Sequence, residues 1–180
     1  MRAMHAEMYK IGSIGDGYLA IMGRPFVERE APASLRNVAR LGIQQVVSLL
    51  EPAEARSIGL DGERREAQAQ RLVFISYPIP DMGTPASVHE FAELTLKLFR
   101  QIDRGVNTLV HCRAGIGRSG LFAAGVLLHA GMNAEQAFAL VSKMRGLRVP
   151  ETISQHAWLL SNQARIVAAV AEDDEGADDA

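Results

Sequence analysis

The chain of 180 residues has a single cysteine, Cys112. One thiol cannot close an internal disulfide, and a thiol with work to do needs reducing surroundings, so a cytoplasmic location is expected. No apolar run is long enough to span a bilayer. The longest, around Leu121 to Leu128, is broken by glycine and followed by histidine, well short of the roughly 20 residues a spanning helix requires. The first residues, Met1-Arg2-Ala3-Met4-His5, open no apolar stretch of the kind a secretory signal has. Internal repeats, linkers, metal-ligand clusters and basic–aromatic arrays are all missing. These absences lead us to expect a single soluble domain with no cofactor, no metal, no membrane contact and no nucleic-acid partner.

Acidic residues are scarce in the body and crowded at one end. Glu172, Asp173, Asp174, Glu175, Asp178 and Asp179 place six acids in the last ten residues, and the rest of the chain holds 15 acids against 19 Lys and Arg. Residues 1–170 therefore read as one mildly basic domain suited to an anionic substrate, and 171–180 as a disordered acidic tail.

What the chain does have is concentrated in His111-Cys112-Arg113-Ala114-Gly115-Ile116-Gly117-Arg118-Ser119-Gly120. The apolar pair Leu109-Val110 leads in, and an alanine-rich apolar run leads out, which predicts a buried strand, a tight glycine loop and a helix. Five residues separate Cys112 from Arg118, two of them glycine, so the backbone can curl with its N–H groups inward. Such a nest, closed by a helix N-terminus, holds a tetrahedral dianion such as phosphate. The same field lowers the pKa of a thiol at its centre and makes it a nucleophile. Arg118 can add a bidentate fork onto two phosphoryl oxygens. Arg113, Ala114, Gly115, Ile116, Gly117 and Arg118 are thus the candidate phosphate-binding residues, around Cys112. The bland alternative is a structural cysteine in a βα turn.

Along the chain, Lys10–Ile14 and Tyr18–Met22 flank Gly15-Asp16-Gly17 and predict an N-terminal hairpin. Pro25 and Pro32 bound an irregular connection, and Ser34 is placed to cap a short helix through Leu41. Gln45–Leu50 and Leu72–Tyr77 read as buried central strands. The polar stretches 52–57 and 62–70, rich in helix formers, are expected on the surface. Ser87 precedes a helix with Phe91, Leu94, Leu98 and Ile102 on one face. Further helices follow over Asn133–Met144 and from near Pro150, the last turning Ile153, Ala157, Trp158 and Leu160 inward. Strands alternating with helices give an α/β fold: a central, mostly parallel sheet flanked by helices on both faces, after a β-hairpin.

Attack by a thiolate on a phosphate ester also needs a proton for the leaving oxygen. Asp81, in Pro78-Ile79-Pro80-Asp81-Met82-Gly83-Thr84-Pro85, follows a strand on a stiff, exposed loop and is the candidate acid, although Pro-Asp also begins ordinary turns. Asp103, the next acid upstream of the cysteine loop, sits at a helix end and reads as a solvated residue. His111 reads as a core histidine bonded to the loop backbone, with a secondary effect on the thiol. Ser119 reads as a helix cap.

His-Cys-x5-Arg-Ser resembles the signature of the cysteine-dependent protein tyrosine phosphatase superfamily. Ile79-Pro80-Asp81 resembles its Trp-Pro-Asp loop, which implies the acid role for Asp81. The resemblance also implies that the Ser119 hydroxyl stabilises the departing thiolate. Glu151-Thr152-Ile153-Ser154-Gln155 resembles the Gln-Thr-x-x-Gln segment whose glutamines place the hydrolytic water, with Glu151 departing from the pattern and Gln155 keeping it. No Lys-Asn-Arg-Tyr segment walls a deep phosphotyrosine pocket, and at this length the chain resembles the compact dual-specificity group. Within it, the Pro78-Ile79-Pro80-Asp81-Met82-Gly83-Thr84-Pro85 loop and the Glu151–Gln155 segment resemble the cyclin-dependent kinase inhibitor 3, or kinase-associated phosphatase, type. The implied substrate is a phosphorylated protein or peptide bearing phosphotyrosine and also phosphoserine or phosphothreonine, and the implied state a monomer. A non-protein ester, a phosphoinositide or nucleotide, is the alternative, weakened because the loop has one base, Arg113, and Ile116 where lipid-directed members place a second. An arsenate reductase would need a partner thiol. A sulfurtransferase would have no use for Asp81, and a binding module without turnover would not need Cys112.

Overall fold

Alternation along short strands sets the layout. The computed structural model describes residues 7–24 and 31–174. Strand β1 (Met8–Ile14) turns through Gly15-Asp16 into β2 (Gly17–Met22), the predicted hairpin. Helix α1 (Ala31–Arg40) leads to β3 (Gln45–Ser48), and two short helices, α2 (Pro52–Ser57) and α3 (Glu63–Ala69), lead to β4 (Val73–Ser76). Helix α4 (Val88–Asp103), β5 (Thr108–His111), α5 (Gly117–Leu128), α6 (Ala134–Arg145) and α7 (Ile153–Asp174) complete the chain.

The sheet order is β1-β2-β5-β3-β4. Only the β1–β2 pair is antiparallel, and β5 lies at the centre, hydrogen-bonded to β2 and β3 on either side. Successive residues of each strand serve opposite faces. Leu19, Ile21, Val47 and Val110 join α4, α5, α6 and α7 in the larger core, while Ala20, Met22, Val46 and Leu109 meet α1 and α3. The fold is therefore α/β, with a mostly parallel sheet covered on both faces. Every residue of α5 is buried, as befits a helix apolar all round. β5 and α5, which flank the Cys112 loop, are buried throughout.

Several expectations are corrected. β4 is an edge strand, paired only with β3 and with Val73 56 % exposed; its apolar residues Phe74 and Ile75 are half-buried, one against each core. Ser34 and Pro32 lie inside α1, which starts earlier than a Ser34 cap implies; Pro32 fits because a helix's first turn needs no N–H there. Pro25 lies outside the described residues. Glu63 and Ala67 of α3 are buried, against the surface placement expected for that stretch. In α7, Ile153 is 87 % exposed and Ala157 also faces solvent, while Gln155, Leu159 and Ile166 point in. Trp158 and Leu160 pack against the core as expected, and with the capping residue Gln155 they set the phase that leaves Ile153 outside. Helix α7 continues to Asp174, and the remainder of the acidic segment lies outside the described residues.

Helices α4, α5 and α7 are locked by aromatic rings. Phe91 sits edge-on to Phe122 (centroids 5.5 Å) and to Trp158 (5.1 Å), with Tyr77 closing the group. Gly125 of α5 lies directly under the Phe91 ring, so a methyl there would enter the space the ring occupies. With both neighbours of Phe91 fixed, Gly125→Ala is expected to cost about 1–3 kcal/mol by overpacking and to lower Tm by roughly 2–10 °C. A thermal melt with unchanged midpoint would show that the ring cluster yields freely.

Candidate active site

The cradle begins where β5 ends. Gly115 is held at φ +69°, and a Cβ there would meet the backbone of Met22 and Gly23, so only glycine lets the loop lie against β2. This turn points the Gly115 N–H at the Cys112 sulfur, 3.2 Å away. The Ser119 hydroxyl stands 3.3 Å from the same atom. Burial pushes the Cys112 thiol up, but hydrogen bonds from Ser119 and Gly115 and the charge of Arg118 outweigh it and bring the pKa below its ordinary value. Cys112 and Ser119 are both buried.

N–H groups turned inward leave carbonyls turned outward, and Arg145 collects them. Its Nε donates to Gly115 O (2.9 Å) and its Nη2 to Ala114 O (3.4 Å), while its guanidinium lies 4.1 Å from the Tyr9 ring centroid. Arg145 was not singled out from the sequence. Its only trace there is a base in the last turn of a helix, a common feature in itself.

Arg118 has 2 % of its side chain exposed. Nη1 donates to Glu54 Oε2 (2.7 Å) and Ile79 O (3.2 Å), and Nη2 to Glu54 Oε1 (2.8 Å). Nη2 also lies 3.0 Å from Asp81 Oδ1. The bidentate bond to Arg118 holds the Glu54 carboxyl below its usual range. Glu54, like Arg145, went unseen in the sequence: a buried guanidinium calls for an anion, but 21 acids offer no means of choosing among them. Glu63 is similar. It is 3 % exposed, and its Oε1 lies 2.7 Å from His111 Nε2, with the His111 ring itself wholly buried. His111 Nδ1 meets Cys112 O at 3.3 Å. Burial lowers the His111 pKa, but the Glu63 carboxylate and the neighbouring cysteine more than reverse this, so the net direction is upward.

Asp81 occupies a tight turn closed by Gly83 N–H on Pro80 O (2.8 Å), with Met82 at φ +55°. Its Oδ1 also accepts the Met82 N–H (3.1 Å). The turn reading and the site reading of Asp81 are thus compatible. Asp103 lies elsewhere, its carbonyl accepting the Asp16 N–H beneath the hairpin turn. Gln155 is buried and doubly used: Oε1 accepts the Thr152 N–H while Thr152 Oγ1 accepts the Gln155 N–H, a capping box for α7, and Nε2 donates to Gly83 O (3.0 Å). The last helix and the Asp81 turn are thereby joined.

These groups surround one cavity of about 210 Å³, lined by Asp81, Met82, Cys112, Arg113, Ala114, Gly117, Arg118, Glu151 and Gln155. All but Met82 are candidates from the sequence, while the candidate loop residues Gly115 and Ile116 do not line it. The family described as "Tc-R-P: Polymorphic toxin system, DSP-PTPase phosphatase" matches residues 20–132. The chain belongs to this phosphatase family. The match takes in Asp81, Cys112, Arg118 and Ser119 and ends before Arg145, Glu151 and Gln155. The phosphatase is 28 % identical over 156 residues to cyclin-dependent kinase inhibitor 3 of Rattus norvegicus, covering 84 % of this chain and 73 % of the relative. Its fold is similar to that of a kinase-associated phosphatase whose catalytic cysteine was changed to serine (TM-score 0.82, 22 % identity, 93 % of this chain and 99 % of that one). It is also similar to Tk-PTP in its active form (TM-score 0.70, 29 % identity, 83 % and 94 %). It is a cysteine-dependent phosphatase of the dual-specificity class. Among the described residues no helix is long and apolar enough to cross a membrane.

Proposed function

We propose that this phosphatase removes phosphate from tyrosine, and also from serine and threonine, in protein substrates through a cysteinyl-phosphate on Cys112. The observation that carries this reading is that the Cys112 thiol, the Arg118 fork and the Asp81 carboxyl face one small cavity. The Cys112 sulfur attacks phosphorus, the ester P–O bond breaks, and Asp81 gives its proton to the leaving oxygen. Loop N–H groups from Arg113 to Arg118, with the Arg118 guanidinium, take the charge on the equatorial oxygens. In the second step Asp81 accepts a proton from water, the water oxygen attacks phosphorus and the P–S bond breaks. Ser119, beside the sulfur, then supports the returning thiolate. Gln155 and Glu151 place the water: Gln155 Oε1 keeps a lone pair beyond the Thr152 bond, and Glu151 borders the same cavity.

His111 and Glu63 hold the strand end in register, and Glu54 holds Arg118. The domain comprises residues 1–170 with 171–180 as an acidic tail, acting as a monomer in the cytoplasm, where Cys112 stays reduced. The cavity is small, about 210 Å³, and Met82 on its lining is 55 % exposed, which suits short seryl and threonyl esters as well as tyrosyl ones. Phosphotyrosyl and phosphothreonyl peptides are both expected to be turned over, each with kcat/KM at least about tenfold above that for a short-chain phosphoinositide, a gap of some 1.4 kcal/mol. Preference for the phosphoinositide in this assay would overturn the protein-substrate reading and leave the cysteine chemistry standing.

A further inference from the structure

A second and larger concavity, of about 520 Å³, adjoins the phosphate cavity, and Glu151 lines both. Its apolar lining is Ile116 from the cradle itself, Leu147 and Pro150 from the segment after α6, and Ile153 at the start of α7, with Thr152 and His156 completing the wall. Arg148 borders it and makes no ion pair among the described residues. Scattered exposed aliphatics are ordinary on a protein surface. Here they converge on a hollow one residue from the phosphate loop, and the most exposed of them, Ile153 at 87 %, spends its surface on nothing inside the fold.

We propose that this concavity seats an aliphatic side chain that flanks the phosphorylated residue in a protein substrate, with Arg148 meeting an acidic neighbour on the same segment. The inference rests on the protein-phosphatase reading above. Continuity decides the occupant: because Glu151 lines both hollows and Ile116 belongs to the phosphate loop, whatever fills the second is within a residue or two of the reacting phosphate, at about 3.3–3.6 Å of reach per extended residue. Charge agrees. Arg113 and Arg148 are separated by Glu151, a mixed rim that suits an acidic peptide and not the uniformly basic surface an anionic membrane selects.

The test uses phosphotyrosyl peptides on an alanine background, with a single leucine walked through three positions on each side. One or two positions are expected to raise kcat/KM about 5–20-fold over alanine, since the open hollow covers only part of a leucine. Ile153→Asp is expected to erase that preference and leave hydrolysis of p-nitrophenyl phosphate within about twofold. The variant folds if Ile153 is as exposed as it stands, and an acid at a helix start is favoured by the dipole; an unchanged melting midpoint checks this. No preferred position, or a preference that survives Ile153→Asp, overturns the proposal. A loss confined to phosphoinositide in anionic vesicles gives the hollow to a lipid, and a dimer that Ile153→Asp dissociates in light scattering gives it to a second copy; either result overturns it too. Failure of wild-type protein to hydrolyse p-nitrophenyl phosphate would instead remove the phosphatase reading on which it rests.

Discussion

Cys112→Ser is expected to abolish turnover while leaving phosphate and vanadate binding in place. The geometry separates the two properties. Nucleophilicity resides in one sulfur, whose thiolate is favoured by the Gly115 N–H, the Ser119 hydroxyl and Arg118. A serine hydroxyl at the same point receives the same bonds but does not ionise near neutral pH. The rate should fall by more than about 10⁴-fold, above 5 kcal/mol of transition-state stabilisation. Binding depends on the loop backbone and Arg118, which the substitution does not touch, and a neutral oxygen repels an incoming dianion less than a thiolate does. Steady-state assay with p-nitrophenyl phosphate and titration calorimetry with phosphate would measure both. Residual turnover within tenfold of wild type in a pure preparation would place the nucleophile elsewhere; loss of phosphate binding would mean that the sulfur itself holds the loop open.

Asp81→Asn is expected to split substrates by their leaving groups. A proton donor matters in proportion to the basicity of the oxygen that departs, so alkyl phosphates should lose about 10²–10⁴-fold and p-nitrophenyl phosphate far less. The structure adds a second readout. Arg118 Nη2 donates to Glu54 and lies 3.0 Å from Asp81 Oδ1 in an ion pair, so an incoming phosphate competes with the Asp81 carboxylate for the guanidinium charge. An amide competes for the guanidinium more weakly than a carboxylate, and phosphate affinity should rise in the same variant. Equal losses on both substrate classes with weaker phosphate binding would reduce Asp81 to a brace for its turn.

How much of this could be read from residues alone follows the range of the forces involved. The hairpin at Gly15-Asp16 and the cysteine loop were legible because their signals are local: turn chemistry, spacing and an apolar strand on one side. Asp81 was legible for the same reason. Glu54, Glu63 and Arg145 were not, because each is chosen by where a distant segment passes: Glu54 lies 64 residues from Arg118 and Arg145 lies 30 from Gly115. The face of α7 is only half legible: Trp158 and Leu160 follow from their apolar character, but Thr152-x-x-Gln155 is a capping signal that turns Gln155 inward and leaves the apolar Ile153 beside it outside. β4 looked central because its composition is apolar; composition reports burial of a strand's faces and is silent about its edges.

The central position of β5 also governs when the chemistry appears during folding. Its partners come from far upstream: the Tyr18 N–H reaches Asn107 across 89 residues, and Gln45 reaches Thr108 across 63. Both long loops have to close before the strand is seated, and non-local pairings of this kind form late compared with helices. Until they do, no neighbour supports a thiolate, and Cys112 is an ordinary thiol, mostly protonated at neutral pH. A chain still emerging from synthesis therefore carries only an ordinary thiol, and closure of the sheet raises its thiolate fraction.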